Sequence, residues 1–262
     1  MNFLDKIIQE KKLTIERQKK VQAQEGVLEE TDSKIRKSRF KEILKKPGTH
    51  LIAEIKRASP SQGDLRANLD IVDIARKYEK GGVKLISVLT EENFFKGSLD
   101  DLAKVKDNTK LSILCKDFII DVFQIRKAKV HGADAVLLIA KVLSRGQLKE
   151  LLDFTKELKM DAVVEVHNEV ELEKVLKLGK DTEILGINHR NLDDFSIDLN
   201  ITGKLIPRIP KEKLIIAESG IDSALEVRQF KNLKVNGVLI GESLMREDDI
   251  SVKLSEFIEA LK

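Results

Sequence analysis

An eightfold alternation constrains this chain more than any other feature. From residue 51 onward short apolar runs recur: LIAEIKR (51–57), KLISVLTE (84–91), LSILCKD (111–117), AVLLIA (135–140), DAVVEVH (161–167), ILGINHR (184–190), LIIAESG (214–220) and GVLIGES (237–243). Their starts lie 33, 27, 24, 26, 23, 30 and 23 residues apart. Stretches of helical period fill the gaps, among them LDIVDIARKYEKGG, SLDDLAKVKD, DVFQIRKAKVHG, RGQLKELLDFTKELK and NEVELEKVLKLG, and several stop at glycine. A strand followed by a crossover helix pairs in parallel with the next strand. Continuous apolar runs suit strands buried on both faces. Eight such units predict an α/β fold, a (β/α)8 TIM barrel, which takes ~250 residues. An open doubly wound sheet is the alternative; no GxGxxG follows the first run, which weakens its dinucleotide-binding form.

The segment before the first run reads differently. Phe3, Leu4, Ile7, Ile8 and Ile15 recur at helical spacing. A polar stretch, Gln22–Ser33, interrupts them; Ile35, Phe40, Ile43 and Leu44 resume, and Pro47-Gly48 stops the segment. Two units are expected: residues 1–48, an N-terminal helical extension packing on the barrel, and residues 49–262, the catalytic barrel. Residues 1–48 hold 13 Lys/Arg against 8 Asp/Glu, whereas the remainder holds 34 against 36. This basic excess is either a solvated helical face or a lid over an anionic ligand. For a lid, removal of residues 1–45 is expected to raise KM with the barrel still folded.

Composition excludes other classes. Of 262 residues 42% are hydrophobic, enough for a core and against disorder. No apolar run approaches the ~20 residues of a membrane span, and the charged N-terminus does not read as a signal peptide. A net charge of +3 gives no case for nucleic acid. The lone Cys115 excludes an internal disulfide and a multi-cysteine metal site, and fits the reducing cytoplasm. His50, His131, His167 and His189 lack metal-ligand spacing and read as loop or helix-end residues. No metal is expected. A monomer or weak homodimer is expected.

Polar residues interrupt the runs at their C-terminal ends: Glu54 and Lys56, Thr90 and Glu91, Lys116, Glu165, Asn188 and Arg190, Glu218 and Ser219. Barrel active sites are built at that end. Side chains alternate along a strand, so Glu54 and Lys56 share a direction, as do Asn188 and Arg190. Taken singly each has a plain reading: Glu54–Lys56 a structural ion pair, Lys116 a snorkelling side chain, Glu165 a helix cap, Asn188 a turn cap. Charges of both signs on several strand ends predict one shared polar pocket instead. Ser219-Gly220 and Gly241 sit at the turns after runs seven and eight, the usual phosphate cradle of this fold, where backbone N–H groups can approach an anion. A phosphorylated small molecule is the expected ligand. Phe95, Phe118, Leu137 and Leu192 lie at or beyond the ends of runs two, three, four and six, as packing or as a slot for a flat ring.

The segments IAEIKRASPSQG (52–63), SVLTEENFFKGS (87–98), CKDFIID (115–121), GADAVLLIA (132–140), VVEVHNEVEL (163–172), GINHRNL (186–192), IAESGI (216–221) and LIGESLMR (239–246) closely resemble the indole-3-glycerol-phosphate synthase family of tryptophan biosynthesis. The resemblance covers nearly the whole chain and, with no second barrel, fits the monofunctional form. It implies closure of the indole ring of 1-(2-carboxyphenylamino)-1-deoxyribulose 5-phosphate with loss of CO2 and water, a carboxy-lyase reaction that needs no cofactor. It implies that Lys116 is the general acid and Glu165 the general base. Glu54 and Lys56 match the pair that orients substrate and assists catalysis, and Asn188 and Arg190 match substrate-contacting positions, Asn188 among the catalytic set. Ser219, Gly220, Gly241 and the backbone of Glu242 match the phosphate site, and Phe95, Phe118, Leu137 and Leu192 the walls around the ring. Ser59, Glu218 and Leu239 complete the expected binding set.

The residue types suit this chemistry. A ring carbon attacking a ketone needs a cation that stabilises charge on the ketone oxygen and delivers a proton. An ammonium can do both, whereas an arginine holds its proton. Dehydration needs a base, which a carboxylate supplies, and an acid for the departing hydroxyl; Lys56 and Lys116 both qualify for each protonation. Two positions depart from the family pattern: Cys115 stands where many members carry arginine, and Glu242 where a small hydroxyl residue also occurs. Cys115 should face away from the pocket, and the Glu242 carboxylate should repel phosphate. The rivals are another phosphate-binding barrel isomerase and a non-catalytic sugar-phosphate-binding barrel.

Overall fold

The computed structural model describes residues 3–25, 38–60, 62–66 and 69–262. Eight strands are β1 (His50–Ile55), β2 (Leu85–Leu89), β3 (Ser112–Lys116), β4 (Ala135–Ile139), β5 (Asp161–Val166), β6 (Ile184–Asn188), β7 (Leu214–Glu218) and β8 (Gly237–Ile240). Each pairs in parallel with its sequence neighbours, and β1 pairs with β8, closing the barrel. The chain is therefore a (β/α)8 barrel and not an open sheet. An antiparallel ribbon of two-residue strands, Ala58–Ser59 with Gly63–Asp64, follows β1.

The main crossover helices are α3 (Ile71–Lys80), α4 (Leu99–Asn108), α5 (Val122–Val130), α6 (Arg145–Glu157), α7 (Glu169–Leu176), α9 (Ala224–Asn232) and α11 (Ile250–Leu261), with the short α8 (Ile201–Leu205) and α10 (Glu242–Arg246) between. Their starts are written in the sequence. Asp70, Ser98, Asp121, Ser144, Asn168, Ser223 and Asp249 each accept a backbone N–H of the first turn, satisfying donors with no helical partner. Three of these caps are reciprocal boxes with Gln124, Gln147 and Glu226. Gly82, Gly132 and Gly179 take positive φ at or just beyond the ends of α3, α5 and α7.

Strand alternation divides the core in two. Residues such as Ala53, Val88, Cys115, Leu138, Val164, Ile187, Ala217 and Val238 face the helices. Their alternates Ile52, Leu85, Leu114, Leu137, Val163, Ile184, Ile216 and Leu239 fill the barrel. Continuing that inward parity toward the C-terminal ends gives Glu54, Ser87, Lys116, Glu165, Asn188, Glu218 and Gly241. The packing that fills the barrel is thus the frame that aims the polar ring.

The N-terminal segment splits into α1 (Phe3–Glu25) and α2 (Phe40–Leu44). α1 runs on through Gln22, into the stretch expected to interrupt it; the resumption at Ile35 lies outside the described residues. Phe40, Ile43 and Leu44 of α2 belong to the same buried cluster as the barrel interior. Removal of residues 1–45 would therefore take part of the core as well as any lid. His50 opens β1 and is not a loop or helix-end residue. No helix among the described residues is long and apolar enough to cross a membrane.

Candidate active site

All of the expected site residues line one cavity of about 240 Å³ at the C-terminal end of the barrel. From β1 and its ribbon come Glu54, Lys56 and Ser59; Phe95 comes from the loop after β2, Lys116 and Phe118 from β3 and its loop, Leu137 from β4 and Glu165 from β5. Asn188, Arg190 and Leu192 come from β6 and its loop, Glu218, Ser219 and Gly220 from β7, and Leu239, Gly241 and Glu242 from β8. Thr90 and Glu91 do not join them. β2 ends at Leu89, and Thr90 Oγ1 turns to Asp117 Oδ2 (2.9 Å) and Cys115 Sγ (3.3 Å). The Glu91 carboxylate accepts the backbone N–H groups of Asn93, Phe94 and Phe95, shaping the loop that carries Phe95.

An ammonium between carboxylates forms the floor. Lys116 Nζ lies 3.0 Å from Glu165 Oε2 and 3.1 Å from Glu218 Oε2. Both carboxylates are 1% exposed, so neither plain reading of Lys116 or Glu165 holds: the lysine does not snorkel, and Asn168 caps α7. Burial works against the Lys116 charge, but Glu165, Glu218 and Glu54 outweigh it and hold its pKa well above the ordinary lysine range. Glu165 is the mirror case: burial opposes its ionisation, and Lys116, then His167, overcome this and hold it below the usual carboxylate range. Burial prevails at Glu218, with Glu165 adding repulsion, and pushes its carboxyl up to about 7. Glu218 is therefore the carboxyl of this floor that takes up a proton most readily as pH falls through neutrality.

Glu54 makes a second centre. Its Oε1 lies 3.0 Å from Lys56 Nζ, and its Oε2 accepts from Ser87 Oγ at 3.1 Å. Gly241 permits this: a Cβ there would stand 2.6 Å from Glu54 Oε1 and 2.8 Å from Glu54 Cβ. Asn188 does cap a turn, with Oδ1 accepting the Arg190 backbone N–H at 3.0 Å, while its position also lines the cavity. Ser219 (φ 68°) and Gly220 (φ 72°) are consecutive left-handed residues in the turn after β7. Ser219 is an uncommon place for a side chain in that region. The Glu242 carboxylate faces two guanidinium groups, Arg190 (3.2 Å) and Arg246 (2.8 Å), so its charge is balanced beside the cavity.

The apolar wall is wider than the sequence indicated. Phe95 and Phe118 sit 6.3 Å apart, centroid to centroid. Phe3, Leu4 and Ile7 of α1 and Phe195 and Ile197 of the β6 loop also line the cavity. Phe3 meets Phe94 and Phe195 edge-on at 5.0 and 5.2 Å. Basic residues of α1 instead pair with the loop after β3: Lys11 with Asp117 and Lys19 with Asp121, both at 2.7 Å. α1 thus presents an apolar edge to the cavity and spends part of its charge on the barrel rim. The spacing of Phe3, Leu4 and Ile7 showed a buried helix face but not what it would cover. Cys115 faces the helix layer, and burial pushes its thiol up to about 12.

Comparison with known proteins identifies the family. The family model described as indole-3-glycerol phosphate synthase matches residues 4–257. Curated relatives of that name include one from Thermoanaerobacter pseudethanolicus, 41% identical over 259 residues, covering 99% of this chain and 98% of the relative. Another, from Campylobacter jejuni, is 50% identical over 199 residues and covers 76% of each chain. A third, from Sulfurimonas denitrificans, is 48% identical over 206 residues, 79% of this chain and 78% of the relative. Among solved structures, 3-hexulose-6-phosphate synthase from Salmonella typhimurium superposes with a TM-score of 0.62 at 14% identity, covering 81% of this chain and 98% of that one. At that identity it speaks for the barrel alone. By its sequence over nearly its full length, and with a polar ring where the fold places catalysis, the chain belongs to the indole-3-glycerol phosphate synthase family.

Proposed function

We propose that the chain closes the indole ring of 1-(2-carboxyphenylamino)-1-deoxyribulose 5-phosphate, releasing CO2 and water to leave indole-3-glycerol phosphate, as a carboxy-lyase of tryptophan biosynthesis. The observation that carries this reading is the Lys116 ammonium held at 3.0 and 3.1 Å between Glu165 and Glu218 on the floor of a cavity with an aromatic wall. The ring carbon bearing the carboxylate attacks the ketone carbon, and the ketone oxygen takes a proton from an ammonium. Loss of CO2 restores the aromatic ring. A base then removes a proton, the hydroxyl leaves as water, and the indole double bond forms.

Lys116 suits the first protonation and Glu165 the proton removal. Lys56, paired with Glu54, is the second ammonium and suits the departing hydroxyl. Phe95, Phe118, Leu137 and Leu192 flank the ring, and Ser219, Gly220, Gly241 and the Glu242 backbone hold the phosphate; Ser59, Asn188, Arg190, Glu218 and Leu239 complete the contact surface. Fixing the two ends brings ring carbon and ketone together, the main entropic obstacle to closure. A cytoplasmic enzyme, monomeric or weakly dimeric, with a boundary near residue 48, fits this reading.

The test supplies purified protein with the substrate and a chelator and follows indole fluorescence, beside Lys116→Ala. Product from the intact protein and none from the variant is expected. Tight binding of the substrate without turnover would replace the enzyme with a sugar-phosphate-binding barrel. Equal product from both proteins would keep the reaction and remove Lys116 as the acid.

A further inference from the structure

His167 follows the end of β5 and does not line the cavity. Its side chain is buried, with a carboxylate at each ring nitrogen. Nδ1 lies 2.9 Å from Glu171 Oε2, and Nε2 lies 3.2 Å from Glu165 Oε1. The second contact is an ion-pair approach rather than an aligned hydrogen bond. Glu171 is itself anchored, accepting the His167 backbone N–H at 2.9 Å and Asn168 Nδ2 at 2.9 Å. A neutral imidazole has one N–H and would turn a lone pair toward one of these carboxylates. The imidazolium presents an N–H to both. Burial disfavours that charge, yet Glu165 and Glu171 outweigh it and raise the ring's pKa to about 9.

We propose that His167 is a positioning residue: as an imidazolium anchored on Glu171, it holds Glu165 Oε1 from behind so that Oε2 stays aimed at Lys116 and the cavity. The proposal rests on the reading of Glu165 as the base. The charged groups around the ring are Glu165 on β5 and Glu171 on α7, with Lys116 on β3 and Glu218 on β7 beyond Glu165. Lys116 is held above the ordinary lysine range, and the part of any alkaline fall in turnover that belongs to His167 is the part that disappears in His167→Gln. Above about pH 9 the clamp loses its cation and its pull on Glu165 weakens.

The test has a spectroscopic and a kinetic arm. Protein carrying 15N-labelled histidine is titrated by NMR, with His167 assigned from the signal missing in His167→Gln. A doubly protonated ring at pH 7.5 that titrates near pH 9, with the midpoint lowered in Glu171→Gln, is expected. In the kinetic arm His167→Ala should lower kcat about tenfold or more, within the ~10²-fold that ångström-scale misplacement costs, and change KM by less than about threefold. His167→Gln, whose amide reaches toward Glu165 without charge, should recover part of kcat and lack the fall near pH 9. A neutral ring at pH 7.5, or wild-type kcat in a folded His167→Ala protein, overturns the proposal. Full turnover in Glu165→Gln would instead sink the base reading itself, and the titration distinguishes the two failures because it needs no catalysis.

Discussion

Gly186 lies in the middle of β6, touches no expected substrate atom, and should still control the rate. A Cβ built on it would stand 2.1 Å from Glu218 Oε1, 3.2 Å from Glu218 Cδ and 3.2 Å from Val163 Cγ1. Its φ is not in the left-handed region, so alanine brings no backbone strain and the effect is steric alone. A carbon–oxygen contact relaxes at ~3.3 Å, so the Glu218 carboxyl must retreat by roughly 1 Å. Its other oxygen is the one 3.1 Å from Lys116, and that contact fails with such a shift.

Misplacement on this scale costs up to ~10²-fold, or ~2.7 kcal/mol of barrier. Crowding a packed site costs about 1–3 kcal/mol of stability, against which Gly→Ala returns ~0.4–1 kcal/mol through the unfolded chain. The variant should therefore fold, melt a few degrees lower, and turn over about 10- to 100-fold more slowly. Stopped-flow or steady-state indole fluorescence reads kcat, and circular dichroism reads folding. A double-mutant cycle locates the cause: with Glu218→Ala already present the methyl has room, so Gly186→Ala should add almost nothing. Wild-type kcat in folded Gly186→Ala, or full additivity with Glu218→Ala, would refute the steric argument.

Other outcomes follow from the same geometry. His167 has a folded-state pKa raised to about 9 against ~6.5 when unfolded; its stabilising contribution is complete below about pH 6.5 and is lost as pH rises to 9, so the melting temperature of wild type should fall across that window and that of His167→Gln should fall less. Cys115→Ser should keep turnover within about tenfold, ~1.4 kcal/mol in barrier, and iodoacetamide should leave native Cys115 unmodified at pH 8 because its thiol is buried and pushed up to about 12. Deleting residues 1–25 removes the Phe3, Leu4 and Ile7 edge but spares Phe40 and Leu44; KM should rise several-fold with a barrel that still melts cooperatively. Glu242→Gln should change KM by less than about tenfold, since Arg190 and Arg246 already balance the carboxylate; a greater loss would show that the carboxylate itself binds substrate.

The barrel was legible because its signals are local and repeated: eight strands buried on two faces, separated by stretches of helical period. The catalytic face was legible through parity: Glu54 continues the inward row of Ile52, Lys116 that of Leu114, Glu165 that of Val163 and Glu218 that of Ile216. Parity fails where a strand ends. Thr90 and Glu91 stand one and two residues beyond Leu89, where the chain has left the sheet, and their polar atoms serve the loop. The docking of α1 was not legible, because a helical stripe records that a face is buried and not the surface that buries it. His167 has no metal-ligand spacing, and that pattern says nothing of a clamp on a carboxylate. Its real signal was local, a carboxylate two residues before it at Glu165 and another four after it at Glu171.

The floor of the cavity orders its own proton transfers under the proposed chemistry. In the resting site Glu165 is a poor base because Lys116 is charged beside it, and Lys116 is a reluctant acid because Glu165 and Glu218 hold its proton. Each shift depends in large part on the other's charge. When an ammonium gives its proton to the ketone oxygen, the cation that depressed Glu165 disappears, and the carboxylate gains basicity at the step before one is required. Glu218, 3.1 Å from the same nitrogen, is placed to return a proton to it and so reset it. An arginine at position 116 would preserve the ion pairs and break this sequence, since it keeps its charge throughout. The His167 cation, on the opposite edge of Glu165, keeps the carboxylate in place during the interval when Lys116 no longer does.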